Sequence, residues 1–148
     1  MVRIVPARRA DEARLADALQ DYLRELKAYY ATVSAQPELA RYFTEPGRLP
    51  CLLYDDCAWI GFALVNDHSR PGMPDHTVAE FTVFPAFRGA ERGMSAARAL
   101  FALYPGRWRV KFIEKNIPAS HFWERVTAAY PRTVRTLPGG EHRITFQT

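Results

Sequence analysis

The spacing of hydrophobic residues along the chain predicts helices and strands in alternation. Leu15, Leu19 and Leu23 recur at every fourth position, which is the period of one helical face. In Trp108–Ile113, hydrophobic residues alternate with charged ones, as in a strand with one buried face. The predicted helices are Asp11–Tyr30, Pro37–Phe43, Glu91–Tyr104 and Asn116–Ala129. The predicted strands are Val2–Pro6, Leu49–Tyr54, Ala58–Val65, Thr77–Phe84, Trp108–Ile113, Pro131–Leu137 and His142–Phe146.

The order of these elements predicts a mixed α/β fold. One predicted helix lies between the strands Thr77–Phe84 and Trp108–Ile113, which indicates a strand–helix–strand crossover in the second half of the chain. The short turn at Asp55-Asp56 predicts a hairpin between the second and third strands. A length of 148 residues fits one domain, so we expect residues 1–148 to form a single unit.

Composition and charge argue against a membrane, secreted or nucleic-acid-binding protein. No apolar run of about 18 residues is present, so we expect no membrane span, and the charged N-terminus lacks the apolar core of a secretory signal. We therefore expect a cytoplasmic protein. The net charge is +4, but no run of five Lys or Arg occurs, so binding to nucleic acid is not expected. Basic residues do cluster locally, as in Arg107, Arg109 and Lys111, which favours an anion site.

The two cysteines allow two interpretations. Cys51 and Cys57 flank the predicted hairpin turn, so a disulfide is possible, but two buried free thiols suit a cytosolic protein better. Together with His121 they do not form a metal-ligand spacing, so we expect no metal.

The most informative stretch is the turn that follows the strand Thr77–Phe84. It carries Arg88, Gly89, Arg92 and Gly93 directly before a predicted helix. Backbone N–H groups at a helix start and the helix dipole both favour a bound phosphate. The turn is neither a Walker A loop nor a dinucleotide-binding Gly motif. A plain surface turn that caps the helix is the alternative.

Two motifs resemble those of a known family. Val83-Phe84-Pro85-Ala86-Phe87-Arg88-Gly89-Ala90-Glu91-Arg92-Gly93 resembles the acetyl-CoA-binding signature of the GNAT superfamily of N-acetyltransferases. Asn116-Ile117-Pro118-Ala119-Ser120-His121-Phe122-Trp123 resembles the family's second motif, Asn-x-x-Ala-x-x-Phe-Tyr. The order of the predicted elements also fits. The resemblance implies a central, mostly antiparallel twisted sheet of about seven strands, with a splayed parallel pair and four flanking helices.

The resemblance also implies a cofactor site and its residues. The strands that hold Val83 and Val110 would splay to admit acetyl-CoA, whose pantetheine arm would lie along the first of them. A backbone N–H near Val83 would polarise the thioester carbonyl. Asn116 would contact the arm as it leaves toward the adenosine. The pyrophosphate would be wrapped by Arg88, Gly89, Ala90, Glu91, Arg92, Gly93 and Met94.

Two residues depart from the family pattern. Glu91 stands where the family usually has the first Gly of the phosphate loop, so its carboxylate would repel the pyrophosphate unless it points away. Trp123 stands where many members have a Tyr that protonates the leaving thiolate, and an indole has no titratable proton.

Glu80 is the candidate general base. Strand alternation places Glu80 on the face opposite Phe81 and Val83. The alternative is a rim carboxylate that only pairs with Arg side chains. Tyr29, Tyr30 and Tyr42 are candidates for lining an acceptor pocket.

The sequence thus predicts transfer of an acetyl group from acetyl-CoA to a primary amine of a small molecule or peptide, by direct attack. The alternative is a catalytically weak CoA-binding sensor or interaction module of the same fold. Expected partners are the amine acceptor and, at most, a second copy of the chain.

Overall fold

The computed structural model describes residues 1–30 and 38–148, which form a mixed α/β structure. In these residues there are seven strands and four α-helices. The strands are β1 (Val2–Pro6), β2 (Arg48–Asp55), β3 (Ala58–Asp67), β4 (His76–Val83), β5 (Arg107–Ile113), β6 (Arg132–Thr136) and β7 (Glu141–Gln147). The helices are α1 (Glu12–Leu26), α2 (Arg41–Thr44), α3 (Arg92–Leu103) and α4 (Ile117–Thr127).

All seven strands join one sheet in the order β1-β2-β3-β4-β5-β7-β6. Every neighbouring pair is antiparallel except β4 and β5, which run parallel. The parallel pair requires the crossover through α3, because parallel neighbours cannot be joined by a hairpin. The predicted fold class is therefore confirmed.

The two faces of the sheet bury different hydrophobic clusters. On one face, Leu15, Leu19 and Leu23 of α1 pack with Phe62 and Leu64 of β3. Their four-residue spacing places all three on one face of the helix, which is the face that packs on the sheet.

The other face packs against α3 and α4. This larger cluster includes Leu100 and Phe101 of α3, Val126 of α4 and the β5 residues Trp108 and Val110. The sheet therefore lies between α1 on one face and the α3–α4 layer on the other.

The parallel pair separates soon after it forms. Pairing between β4 and β5 is confined to His76↔Trp108 and Thr77↔Arg109. A register shift in the β3–β4 ladder leaves Ala79 unpaired between Val78 and Glu80, which is a β-bulge. Because a bulge bends and twists its strand, it turns the end of β4 away from β5.

Several predicted boundaries differ from the structure. The first helix ends at Leu26 and not at Tyr30, because the N–H groups of Lys27, Ala28 and Tyr29 each bond a carbonyl three residues back and tighten the last turn. The second helix is the single turn Arg41–Thr44, and its predicted start at Pro37 lies outside the described residues.

The prediction of two buried free thiols is half correct. Both cysteines are free, and Cys51 is buried in β2, but Cys57 is exposed in the hairpin turn. Asp56 takes a positive φ of 52° in that two-residue turn, so Cys57 lies at its tip, away from the core. In the described part of the chain, no helix combines the length and the apolar character needed to cross a bilayer.

Candidate functional site

The gap between β4 and β5 exposes the backbone of β4. The Phe84 N–H donates to the Ile60 carbonyl at 2.7 Å. This bond makes Val83↔Gly61 a non-hydrogen-bonded pair, in which the N–H and C=O of Val83 point away from β3. By alternation the same holds for Phe81, so both residues direct backbone polar groups into the gap.

The turn after β4 has an unusual backbone conformation. Three consecutive residues have positive φ: Gly89 at 98°, Ala90 at 51° and Glu91 at 61°. Among the described residues, no hydrogen-bond acceptor is found for the N–H groups of Gly89, Ala90, Glu91, Gly93 and Met94. Successive free N–H groups in such a turn, at the start of a 12-residue helix, favour an anion.

The charged side chains of this turn are paired with other elements. Arg88 donates two hydrogen bonds to the Glu25 carboxylate of α1, at 2.9 and 2.6 Å, and its Nε donates to the Val83 carbonyl at 2.8 Å. Arg92 donates from Nε to Asp55 at 3.0 Å. The free N–H groups of the turn therefore come from its backbone. The guanidinium groups of Arg88 and Arg92 are held at the edges of the turn by Glu25 and Asp55.

Glu91 points away from the turn and toward α4. Its carboxylate accepts two hydrogen bonds from the Arg125 guanidinium, at 2.9 and 3.0 Å, in an exposed position. Since the positive charge of Arg125 offsets that of the carboxylate, less repulsion acts on an anion in the turn. No local pattern predicts this pair, because the two residues lie 34 positions apart on different elements.

The remaining predicted cofactor residues have mainly structural contacts. A Cβ on Gly93 would lie 2.9 Å from Cε1 of Phe122, so this glycine lets α4 approach α3. The Met94 side chain is buried in the core. Asn116 caps α4, where its side chain accepts a hydrogen bond from the Ala119 N–H at 3.2 Å.

Aromatic side chains cover the α4 side of the gap. Phe81 stacks on Phe122 with ring centroids 5.6 Å apart, and it meets the edge of Trp123 at 5.4 Å. Trp123 is 7% exposed and belongs to the α3–α4 cluster. This wall is apolar, and Trp123 supplies no acid to it.

Glu80 lies on the opposite side of the sheet, as predicted. It pairs with Leu64, which faces α1. Burial raises the pKa of Glu80, while the Tyr22 hydroxyl and the Lys111 ammonium next to it oppose that shift. A carboxyl whose pKa moves toward neutrality is better matched to accept a proton from an ammonium or amine.

Tyr22 of α1 and Tyr30, just after that helix, lie near this carboxylate. Burial, and after it the charge of Glu80, raises the pKa of both Tyr22 and Tyr30. Tyr42, a predicted pocket residue, is buried and donates its hydroxyl to the Asn66 side chain at 2.8 Å, so it belongs to the core. Tyr22 was the residue missed, because its spacing on the helix also fits a core position.

Lys111 and Glu80 come together only in the folded sheet. They lie on neighbouring strands, and the sequence placed Lys111 only in a general basic cluster. Within residues 1–30 and 38–148, no group of three or more His, Cys, Asp or Glu side chains could hold a metal ion.

Comparison with known proteins identifies the fold. No protein-family model matches the sequence, and no curated protein sequence matches it. The structure is similar to an acetyltransferase of the GNAT family from Streptococcus agalactiae, with a TM-score of 0.76, 13% identity, and coverage of 99% of this chain and 95% of that one.

Two coenzyme A complexes have the same architecture. The aminoglycoside acetyltransferase AAC(6')-Ib bound to coenzyme A matches with a TM-score of 0.70 and 18% identity, over 100% of this chain and 95% of that one. The PaiA N-acetyltransferase from Thermoplasma acidophilum with coenzyme A matches with a TM-score of 0.66 and 11% identity, over 100% and 99% of the chains. The fold predicted from the two motifs, that of the GNAT acetyltransferases, is therefore confirmed.

Proposed function

We propose that the protein is an N-acetyltransferase that moves an acetyl group from acetyl-CoA to a primary amine. The observation that carries this proposal is the gap between β4 and β5, where the Val83 N–H points away from β3, with a turn of free N–H groups at its end. The fold shared with coenzyme A complexes supports it.

In this proposal, the cofactor lies along the exposed edge of β4. The N–H of Val83 points into the gap and donates to the thioester oxygen, which becomes more negative as the amine attacks. The N–H groups of Gly89, Ala90, Glu91, Gly93 and Met94 hold the pyrophosphate. Arg88 and Arg92 brace the turn from outside through Glu25 and Asp55. Asn116 sets the start of α4 where the arm leaves.

The chemical step is a direct acyl transfer. The acceptor nitrogen forms a bond to the acetyl carbon, and the carbon–sulfur bond breaks. Glu80 takes the proton that the nitrogen loses, directly or through water. The thiolate of coenzyme A then takes a proton from solvent, because Trp123 has none to give. A thiolate is a fair leaving group, so this route needs no acid at that position.

A CoA-binding sensor is the second candidate, and Trp123 is the observation that favours it. Two measurements separate the candidates: calorimetry with acetyl-CoA, then release of free thiol over a panel of primary amines. We expect acetyl-CoA to bind and amines to accelerate thiol release. Binding without amine-dependent release favours the sensor. Absence of binding rejects both.

A further inference from the structure

The α1-side face of β5, β7 and β6 carries a row of basic side chains. Cross-strand pairs place Arg109 opposite Thr145, and Lys111 opposite Arg143, which is itself opposite Arg135. Directly opposed residues lie on the same face of a sheet. We call this set the basic strip; it consists of Arg107, Arg109, Lys111, Arg135 and Arg143.

Most of the strip lacks compensating acidic groups. Arg143 pairs with Glu141 at 2.9 Å. Within the described residues, no carboxylate lies within ion-pair distance of Arg107, Arg109, Lys111 or Arg135, and residues 31–37 contain no acidic side chain. Burial and the charges of Arg143, Arg107 and Arg135 lower the pKa of Arg109, in that order. Four guanidinium groups thus lie close enough to repel one another, which a bound anion would relieve.

The strip is open to solvent. Arg107, Lys111 and Arg135 are exposed, while Arg109 and Arg143 are half-buried. In the described part of the chain, the α1-side cluster includes no residue of β5, β6 or β7. A depression of about 290 Å³ lies at one end of the strip, and its lining includes Arg107, Thr133 and Thr145. The Thr145 hydroxyl accepts a hydrogen bond from Nε of Arg109 at 3.4 Å. Guanidinium and hydroxyl donors suit a carboxylate or a phosphate.

The strip also reaches the candidate base. Lys111 is close enough to Glu80 to oppose the rise of its pKa. Arg109 and Arg107 lie two and four residues farther along β5, which corresponds to roughly 7 and 13 Å from Lys111. An acceptor with its amine at Glu80 can therefore place a second group on the strip.

We propose that the acceptor is a small amine that also carries a carboxylate or phosphate, and that the basic strip binds this anionic group. This inference rests on the proposed function. It argues against polycationic acceptors such as kanamycin, which is bound in one of the structural neighbours. The ammonium groups of such a compound would be repelled by the positive charges of the basic strip.

The test compares matched acceptors in the thiol-release assay. Each pair differs only in the anionic group: glucosamine 6-phosphate with glucosamine, and 6-aminohexanoate with its amide. Kanamycin serves as the polycationic probe. For at least one pair, we expect kcat/KM of the anionic member to exceed that of its partner by about 10-fold or more, as charge-assisted contacts predict. We also expect this ratio to fall as salt rises.

Two variants identify the strip as the cause. In Arg109→Gln and in Arg135→Gln, we expect the advantage of the anionic member to fall by about 10-fold, mainly through KM, with no change in acetyl-CoA affinity. Arg135 is exposed, so this variant tests the strip even if Arg109→Gln folds poorly. Arg9→Gln is the matched control, because it removes one charge beyond β1, at the opposite edge of the sheet.

The outcomes separate this inference from the proposed function. Thiol release with neutral amines, but without any advantage of the anionic members, overturns the inference and leaves the acetyltransferase intact. If no acceptor supports thiol release, calorimetry of glucosamine 6-phosphate against glucosamine decides: equal or absent binding overturns the inference. Tighter binding of a single-stranded oligonucleotide than of either sugar at physiological salt also overturns it, in favour of a nucleic-acid surface.

Discussion

At the scale of single residues, the role of Glu80 as a general base leads to the largest expected effect on activity. It lies near Tyr22 of α1, Tyr30 just after that helix and Lys111 of β5, and its burial raises its pKa. In Glu80→Gln, we expect kcat/KM to fall by about 100-fold, the usual contribution of a positioned base. The acetyl-CoA Kd should stay the same, since the side chain lies on the opposite face from Phe81. Steady-state kinetics and calorimetry on the same variant check both, and wild-type turnover would remove Glu80 from the mechanism.

Lys111 should set the pH range of this base. The ammonium lowers the pKa of Glu80 from the raised value that burial causes, and Tyr22, Tyr30 and Tyr42 are the other titratable groups nearby. Glu80 acts as a base only above its pKa, so kcat/KM rises with pH through that value. In Lys111→Gln the pKa rises further, and the acid limb of the profile should move to higher pH. Arg9→Gln should not move it, and a shift to lower pH contradicts the assignment.

Glu91 takes a backbone conformation that suits glycine better. Its φ of 61° lies in the left-handed region, which costs a non-glycine residue about 1 kcal/mol. Its exposed pair with Arg125 returns at most about 1 kcal/mol. In Glu91→Gly, we expect tighter acetyl-CoA binding, because a negative charge leaves the turn and Arg125 becomes free to approach phosphate.

A second variant separates the two causes. Glu91→Gln removes the charge but keeps the side chain in the left-handed conformation, so its acetyl-CoA Kd should lie between those of the wild type and Glu91→Gly. Calorimetry at fixed salt measures the three values. Weaker binding by the glycine variant would mean that the Glu91–Arg125 pair supports the site.

At the scale of elements, the site depends on how closely α4 approaches α3. Gly93 allows this approach, since a Cβ would lie 2.9 Å from the Phe122 ring. In Gly93→Ala, we expect a loss of about 1–3 kcal/mol of unfolding free energy from overpacking, and weaker acetyl-CoA binding as Phe122 shifts against Phe81. Thermal unfolding and calorimetry measure the two effects.

The partner residue supplies the control for this prediction. The double variant Gly93→Ala/Phe122→Leu replaces the ring by a smaller side chain. Its loss of unfolding free energy should be smaller than the sum of the losses in the two single variants, as is expected of contacting residues in a double-mutant cycle. Ser95→Ala, on the exposed side of the same helical turn, should have no effect. Strict additivity of the two changes would show that the residues do not contact each other.

Elements with a clear hydrophobic period were predictable, and contacts between elements were not. The β1 bounds Val2–Pro6 and the Asn116 cap agree with the structure, because both follow from local sequence. The bulge at Ala79 and the pair Glu91–Arg125 arise only from tertiary packing, so no local pattern indicates them. The first motif predicted the turn, whereas the contact between Tyr22 and Glu80 depends on the sheet register, which no local pattern indicates.

At the scale of the whole molecule, the gap between β4 and β5 divides the sheet into two halves of different character. Its first half is covered by α1 and forms a closed core, while the gap between β4 and β5 separates it from a basic second half. The proposed cofactor and acceptor approach from opposite faces of this gap. A ligand that bridges the gap should therefore join the two halves and stabilise the fold as a unit.

This bridging predicts a specific pattern of stabilisation. At 100 times its Kd, acetyl-CoA should add about 2.7 kcal/mol, which raises Tm by roughly 5–10 °C for a chain of this size. In hydrogen exchange, we expect protection of the amides of Val83, Gly89, Ala90, Glu91, Gly93 and Met94, since these N–H groups find no acceptor in the described part of the chain. S-acetylpantetheine, which lacks the pyrophosphate, should protect Val83 but leave the turn unchanged. Equal protection of the turn by both compounds would contradict its assignment to the pyrophosphate, because only acetyl-CoA can supply that group.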